Sequence, residues 1–131
     1  MQDQIASVKE FHQIFGGYIS PLSTPTLPTE ILSGRIKMLR EEMEEYIEAA
    51  EDEDLVGIAD ALTDLLYVVL GTYIAHGLHP CVEALFDEVH RSNMTKLDEN
   101  GAPILRADGK ILKSQLYKPP DISSVLAACK R

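Results

Sequence analysis

Residues 55–75 read LVGIADALTDLLYVVLGTYIA, and this stretch decides the fold. It is apolar almost all the way round, so a helix here, bounded near Asp54 and His76, has to be covered on every side. Asp60 and Asp64 nevertheless stand four residues apart on one of its faces. Aspartate is a poor helix-interior residue and is almost never buried unpaired. No lysine or arginine occurs between Glu41 and His76, so nothing nearby in sequence neutralises the pair. Either a basic residue from another segment meets them, or a cation does. The same two acids, with Thr63, argue against a membrane span, and no membrane partner is expected.

Outward from this segment, periodicity predicts further helices. Residues 29–51 place Leu32, Ile36, Leu39, Met43, Tyr46, Ile47 and Ala50 in steps of three and four, with Thr29 as the expected N-cap. Glu51–Asp54 (EDED) reads as the turn between the two long helices. Asp3–Phe15 spaces Ile5, Val8, Phe11 or His12, and Phe15 as a first helix that Gly16-Gly17 stops. The proline-rich SPLSTPTLP (20–28) is an extended connector. Gly77 closes the third helix, and Pro80 suits the first turn of a fourth, Cys81–Ser92. Beyond Asn93, the turn dipeptides Asn100-Gly101 and Asp108-Gly109 flank PILR, a short strand or extended arm. Pro119-Pro120-Asp121 opens a short terminal helix. The expectation is one all-α domain, 1–131, with a helical core over about 29–93 and an irregular arm over 94–131. One chain of this size can hardly cover residues 55–75 alone, so a homodimer or homotetramer completing a four-helix bundle is expected.

Composition narrows the class. At 131 residues, 45% hydrophobic and 25% charged, the chain is a globular domain and not a disordered segment. Twenty-one acidic against twelve basic residues give a net charge of −9. A basic footprint for a nucleic-acid polymer is therefore absent, and a polyanionic ligand needs help from cations or a local basic patch. Cys81 and Cys129 form no expected disulfide framework, Cys129 has no identifiable partner, and the N-terminal MQDQIASVKEF lacks a secretory apolar core, which together suggest a cytoplasmic protein. His76, His79 and Cys81 (HGLHPC) lack a clear fourth ligand and read as an interhelix loop, not a zinc site.

Arg40–Glu45 reads REEMEE. At 100° per residue Glu42 flanks the apolar stripe of its helix, Glu45 lies one turn on and Glu41 just beyond, while Glu44 and Glu48 point elsewhere. Alone, this run reads as a solvated charged face; opposite Asp60 and Asp64 it reads as one wall of a site. Two carboxylates about 6 Å apart repel by roughly 3 kcal/mol at an effective dielectric of 20. Four converging carboxylates would cost a large part of a stability of about 5–15 kcal/mol. A divalent cation removes that cost, and an all-carboxylate donor set selects hard Mg²⁺, with Mn²⁺ tolerated, over zinc. Such a site suits phosphate chemistry.

Glu41-Glu42-x-x-Glu45, followed by an acid pair ahead of Leu65-Leu66-Tyr67-Val68-Val69, resembles the EExxE…ExxD signature of the all-α nucleoside triphosphate pyrophosphohydrolases, the MazG-like superfamily. FDEVHRSNMTK (86–96) and GKILK (109–113) resemble its phosphoribosyl-ATP pyrophosphohydrolase-like branch. The resemblance implies that Glu42, Glu45 and Asp64 hold metal and that Glu41 helps a further metal or orients the attacking water. Ala61 stands where the family has a glutamate, and Asp60 is the expected substitute. Asn93 and Lys96 match a phosphate- or sugar-contacting pair, with Lys110 and Lys113, and equally Arg91, available to the phosphates. Phe11, His12 and Phe15 either edge a base or, for the phenylalanines, pack in the core. The implied reaction is cleavage of a (deoxy)nucleoside triphosphate to the monophosphate and pyrophosphate, of a house-cleaning kind. The alternatives are phosphoribosyl-ATP hydrolysis in histidine biosynthesis, and a non-enzymatic acidic helical binding module.

Overall fold

The computed structural model describes residues 1–129; Lys130 and Arg131, which the expected arm includes, lie outside the described residues. The protein is all-α, with a small two-stranded ribbon. The helices are α1 (Gln2–Phe15), α2 (Thr29–Glu51), α3 (Leu55–Ala75), α4 (Val82–Met94) and α5 (Ile122–Cys129). The chain divides into two compact units, 1–79 and 80–131.

In the first unit, α2 and α3 form an antiparallel hairpin. Glu53 takes a positive φ of 54° in the EDED turn between them. A Cβ on Gly57 would lie 3.0 Å from the Ala49 Cβ, so a glycine lets the two helices approach closely next to the turn. At the far end Arg35 donates to the Thr72 hydroxyl at 3.1 Å. Helix α1 ends on Gly16 in the left-handed region (φ 74°), as Gly16-Gly17 implied, and packs on α3. The connector has no regular structure but is fastened to the end of α3. Ser20 N–H donates to the Ile74 carbonyl (3.3 Å), Thr24 N–H to that of His76 (3.0 Å), and Ser23 Oγ to that of Gly77 (3.1 Å). Gly77, with φ 67°, leaves no room for a side chain against the Leu22 carbonyl.

Burial departs from the sequence reading in three places. On α1 it is Ile5, Val8 and His12 that are buried, while Phe11 and Phe15 stay exposed and stack on each other at 4.5 Å. On α3 the buried residues are Ala61, Leu70, Gly71, Ile74 and Ala75, so coverage is concentrated in its C-terminal half. Leu55, Val56, Leu62, Leu66 and Tyr67 are exposed, as are Asp60 and Asp64, which therefore do not sit in a closed core. By length and composition alone α3 could cross a membrane. Its two mid-helix aspartates oppose that, at about 2.5–3.5 kcal/mol each on an insertion scale.

The second unit is built on polar fastening. Its arm carries β1 (Ile104–Leu105) paired antiparallel with β2 (Ile111–Leu112) across the Asp108-Gly109 turn, so that GKILK supplies a strand. Ser92, buried at the end of α4, donates to the Lys118 carbonyl at 2.8 Å, and Thr95 Oγ1 accepts the Lys118 N–H at 2.9 Å. Glu88 takes a two-pronged ion pair from Arg91 (2.8 and 2.7 Å) and the Asp121 N–H (2.7 Å). Asp121 in turn caps α5 by accepting the Ser124 N–H at 3.1 Å. Cys81 and Cys129 are joined by a disulfide across 48 residues, which corrects the expectation that Cys129 has no partner. The periodicity of α4 and α5 does not reveal that these ends meet.

The Arg91 guanidinium and the Asp121 N–H together hold the Glu88 carboxyl at about 2, well below its ordinary 4.5. A carboxylate depressed in this way stabilises the fold fully above pH 4.5, and its contribution is lost as pH falls from there through about 2. Thermal denaturation between pH 6 and 2 is expected to show Glu88→Gln less stable at pH 6 and nearly matched to wild type at pH 2. A constant difference across that range contradicts the assignment.

Candidate functional site

Glu42 and Glu45 project from α2 and Asp64 from α3, and one carboxylate oxygen from each lies within 4.8 Å of the other two. Helix periodicity accounts for the convergence, because Glu42 and Glu45 are three apart on one side of α2 and Asp64 stands opposite on its antiparallel neighbour. Glu42 is partly buried, and its Oε2 has no hydrogen-bond partner and no access to water. Burial raises the Glu42 pKa above its ordinary value. Repulsion from Glu45, proton sharing with that same carboxyl, and the fields of Asp64 and Glu41 raise it further. A carboxylate raised in this way costs the fold stability as pH rises from its ordinary value through its folded one.

An orphaned, sequestered oxygen among three hard donors fits a divalent cation bound to oxygen, since a cation both neutralises the cluster and satisfies that atom. Glu42, Glu45 and Asp64 are the residues that could hold it. The other expected site residues stand elsewhere. Glu41 makes an exposed ion pair with Lys37 at 3.8 Å and reaches the cluster only through its field on Glu42. Asp60 is outside the 4.8 Å group but lines an adjoining acidic concavity of about 270 Å³ with Glu45, Glu48, Asp52 and Asp54. Glu45 belongs to both, so the two acidic regions are continuous. Ala61, at the position of the family glutamate, is buried.

In the second unit, Asn93 is exposed in the last turn of α4, not at its C-cap, which is Thr95. Lys96 follows, partly buried, with its N–H on the Asn93 carbonyl at 3.1 Å. Lys110 is exposed beside the hairpin turn, and Lys113 lies 4.6 Å over the Tyr117 ring. Arg91, equally available in the sequence, is engaged with Glu88. His76 turns Nδ1 toward the Thr24 carbonyl at 2.9 Å, and Cys81 is in the disulfide, so the HGLHPC segment is the interhelix loop expected.

Sequence reasoning missed the Ser92 and Thr95 hydroxyls that fasten the arm, although two hydroxyl residues three apart at a helix end are a recognisable cue. It also missed Arg35 and Gly71, which meet His12 at the end of the α2–α3 seam. The cue there was spacing: Arg35 precedes Glu42 by seven residues and shares its stripe.

A helical hairpin that brings three carboxylates together suits hydrolysis of a phosphoric anhydride, and the family match makes the chain an all-α hydrolase of the nucleotide pyrophosphohydrolase type. The chain belongs to the phosphoribosyl-ATP pyrophosphohydrolase family, whose model matches residues 8–93, within the MazG-like superfamily. No curated protein matches the chain. The matched region takes in α2, α3 and the cluster, and it ends at Asn93.

Divalent cation is expected to raise the melting temperature of the wild type, by about 2.7 kcal/mol of added stability at a hundred times its dissociation constant. Glu42→Gln removes one source of repulsion, so the metal-free variant is expected to melt no lower than wild type at pH 7 and to lose most of the magnesium response. Calorimetry with magnesium and with chelator checks both. A response retained in full by Glu42→Gln contradicts the site.

Proposed function

We propose that this protein is a Mg²⁺-dependent nucleoside triphosphate pyrophosphohydrolase that also accepts Mn²⁺. In this reading it converts a (deoxy)nucleoside triphosphate to the monophosphate and pyrophosphate in a house-cleaning role. The supporting observation is the convergence of Glu42, Glu45 and Asp64 around the unsatisfied Glu42 oxygen. Those three residues would hold the metal, and Asp60, on the adjoining acidic concavity, would stand in for the family glutamate. When bound, the metal neutralises phosphate charge and acidifies water for attack. Glu41, paired with Lys37, orients the attacking water. Water adds at one phosphorus, the α–β bridging bond breaks, and pyrophosphate leaves. Asn93, Lys96, Lys110 and Lys113 contact the sugar and phosphates. With −9 on the chain, lysines and metal together offset the repulsion a triphosphate meets.

The working form in this reading is a cytoplasmic homodimer or homotetramer. Its support is the exposed apolar surface of α2 and α3, including Met43, Ile47, Leu62 and Leu66 beside the cluster. A second reading, hydrolysis of phosphoribosyl-ATP, is favoured by the family match.

A panel of nucleoside triphosphates and phosphoribosyl-ATP, incubated with magnesium, is expected to release monophosphate and pyrophosphate from at least one triphosphate. Asp64→Asn and Glu42→Gln should lower turnover at least a hundredfold while remaining folded. Turnover of phosphoribosyl-ATP alone selects the second reading, and metal binding with no turnover of any substrate leaves an acidic binding module. Separately, analytical ultracentrifugation is expected to find a dimer or tetramer that Leu62→Glu converts to monomer. A monomeric wild type contradicts the assembly.

A further inference from the structure

Two turns along the α2–α3 seam from the carboxylates stands a cation that no anion meets. Arg35 and Glu42 share one stripe of α2, while Asp64, Val68 and Gly71 share one stripe of α3, so both charges face the same seam. The Arg35 guanidinium donates from Nε to Thr72 Oγ1 at 3.1 Å and from Nη2 to the Val68 carbonyl at 2.7 Å. Both acceptors are neutral. No carboxylate lies within 4.0 Å of it among the described residues, although Glu42 and Asp64 lie further along its own seam. Burial lowers the Arg35 pKa, which is the cost of holding a partly buried cation with no counter-charge.

The surroundings hold the guanidinium in this position. A Cβ on Gly71 would stand 2.5 Å from Arg35 Nη2 and 2.9 Å from His12 Nε2, so the glycine makes the room that both nitrogens border. His12 is buried, with Nδ1 donating to the Tyr18 carbonyl at 3.1 Å and Nε2 on the side of the arginine. Among the described residues two of the five guanidinium N–H donors are engaged, and a two-pronged grip on a phosphate needs two of the others.

We propose that Arg35 is a specificity-determining residue that grips the terminal phosphate of the substrate, with the phosphate chain lying along the seam between the carboxylate cluster and Gly71. The proposal rests on the function given above. Arg35 stands two turns from Glu42, about 10–11 Å along the helix, and holds the carbonyl of Val68, one turn from Asp64, a placement beyond the cluster that favours a longer phosphate chain over a shorter one. His12 and Gly71 are positioning residues that keep the guanidinium in place.

The test compares wild type, Arg35→Gln and Arg35→Lys, using the full chain with magnesium. One arm measures binding of inorganic pyrophosphate by calorimetry, and the other measures kcat/KM for a nucleoside triphosphate and its matching diphosphate. Arg35→Gln is expected to weaken pyrophosphate binding ten- to a hundredfold. It should lower triphosphate kcat/KM by a similar factor, mainly through KM, and leave the diphosphate within about twofold. Arg35→Lys should fall between, and it carries the comparison if the glutamine variant does not fold. Unchanged pyrophosphate affinity, or equal losses on both nucleotides with a lowered melting temperature, overturns the proposal and leaves Arg35 as a clamp between helices. Pyrophosphate binding that depends on Arg35 in a protein that hydrolyses no nucleotide keeps this site and rejects the catalytic reading instead.

Discussion

Mutual repulsion among carboxylates, held close by two rigid helices, is the constraint on which the first unit turns. A Gly57–Ala49 approach next to one end and an Arg35–Thr72 hydrogen bond at the other fix the register of α2 against α3. That register leaves Glu42, Glu45 and Asp64 facing one another, with no ion pair to a basic side chain among the described residues. Such an arrangement lowers the stability of the empty protein, and it persists because the surrounding helix contacts over-determine it. The same preorganisation suits a cation, which finds its ligands already assembled and needs little further ordering.

Polarity along the seam follows a simple order. Acidic residues crowd the end near the EDED turn, the three-carboxylate cluster lies mid-seam, and Arg35 with His12 closes the far end around Gly71. Negative and positive charge are thus separated by about two helical turns instead of being paired. A ligand with its own alternation of bound cation and anionic phosphates matches that order. Apolar side chains beside it remain uncovered on the N-terminal half of α3, where Val56 is 80% exposed. A helix this apolar, open along half its length, is a surface suited to another copy of the chain.

Much of this was legible in the sequence, for identifiable reasons. Helical periodicity and the Gly16, Gly77 and Gly109 breaks located the elements within a residue or two, because these signals are local. The acidic arc and the aspartate pair were equally visible, since spacing alone sets which helix face they occupy. Long-range geometry was not visible. Nothing in the local pattern of α1 says that His12 turns inward while Phe11 and Phe15 turn out, for that depends on the space Gly71 leaves on α3. The Cys81–Cys129 bond joins residues 48 apart, a separation across which spacing carries no information. Asp60 and Glu41 share the acidic character of the cluster without its convergence, a distinction that only the register of the two helices draws.

Anomalous diffraction from crystals grown with manganese tests the central claim most directly. The account predicts one strong peak bounded by the carboxylates of Glu42, Glu45 and Asp64. A map with no peak there, the three side chains turned apart or ion-paired with arginines, would contradict it.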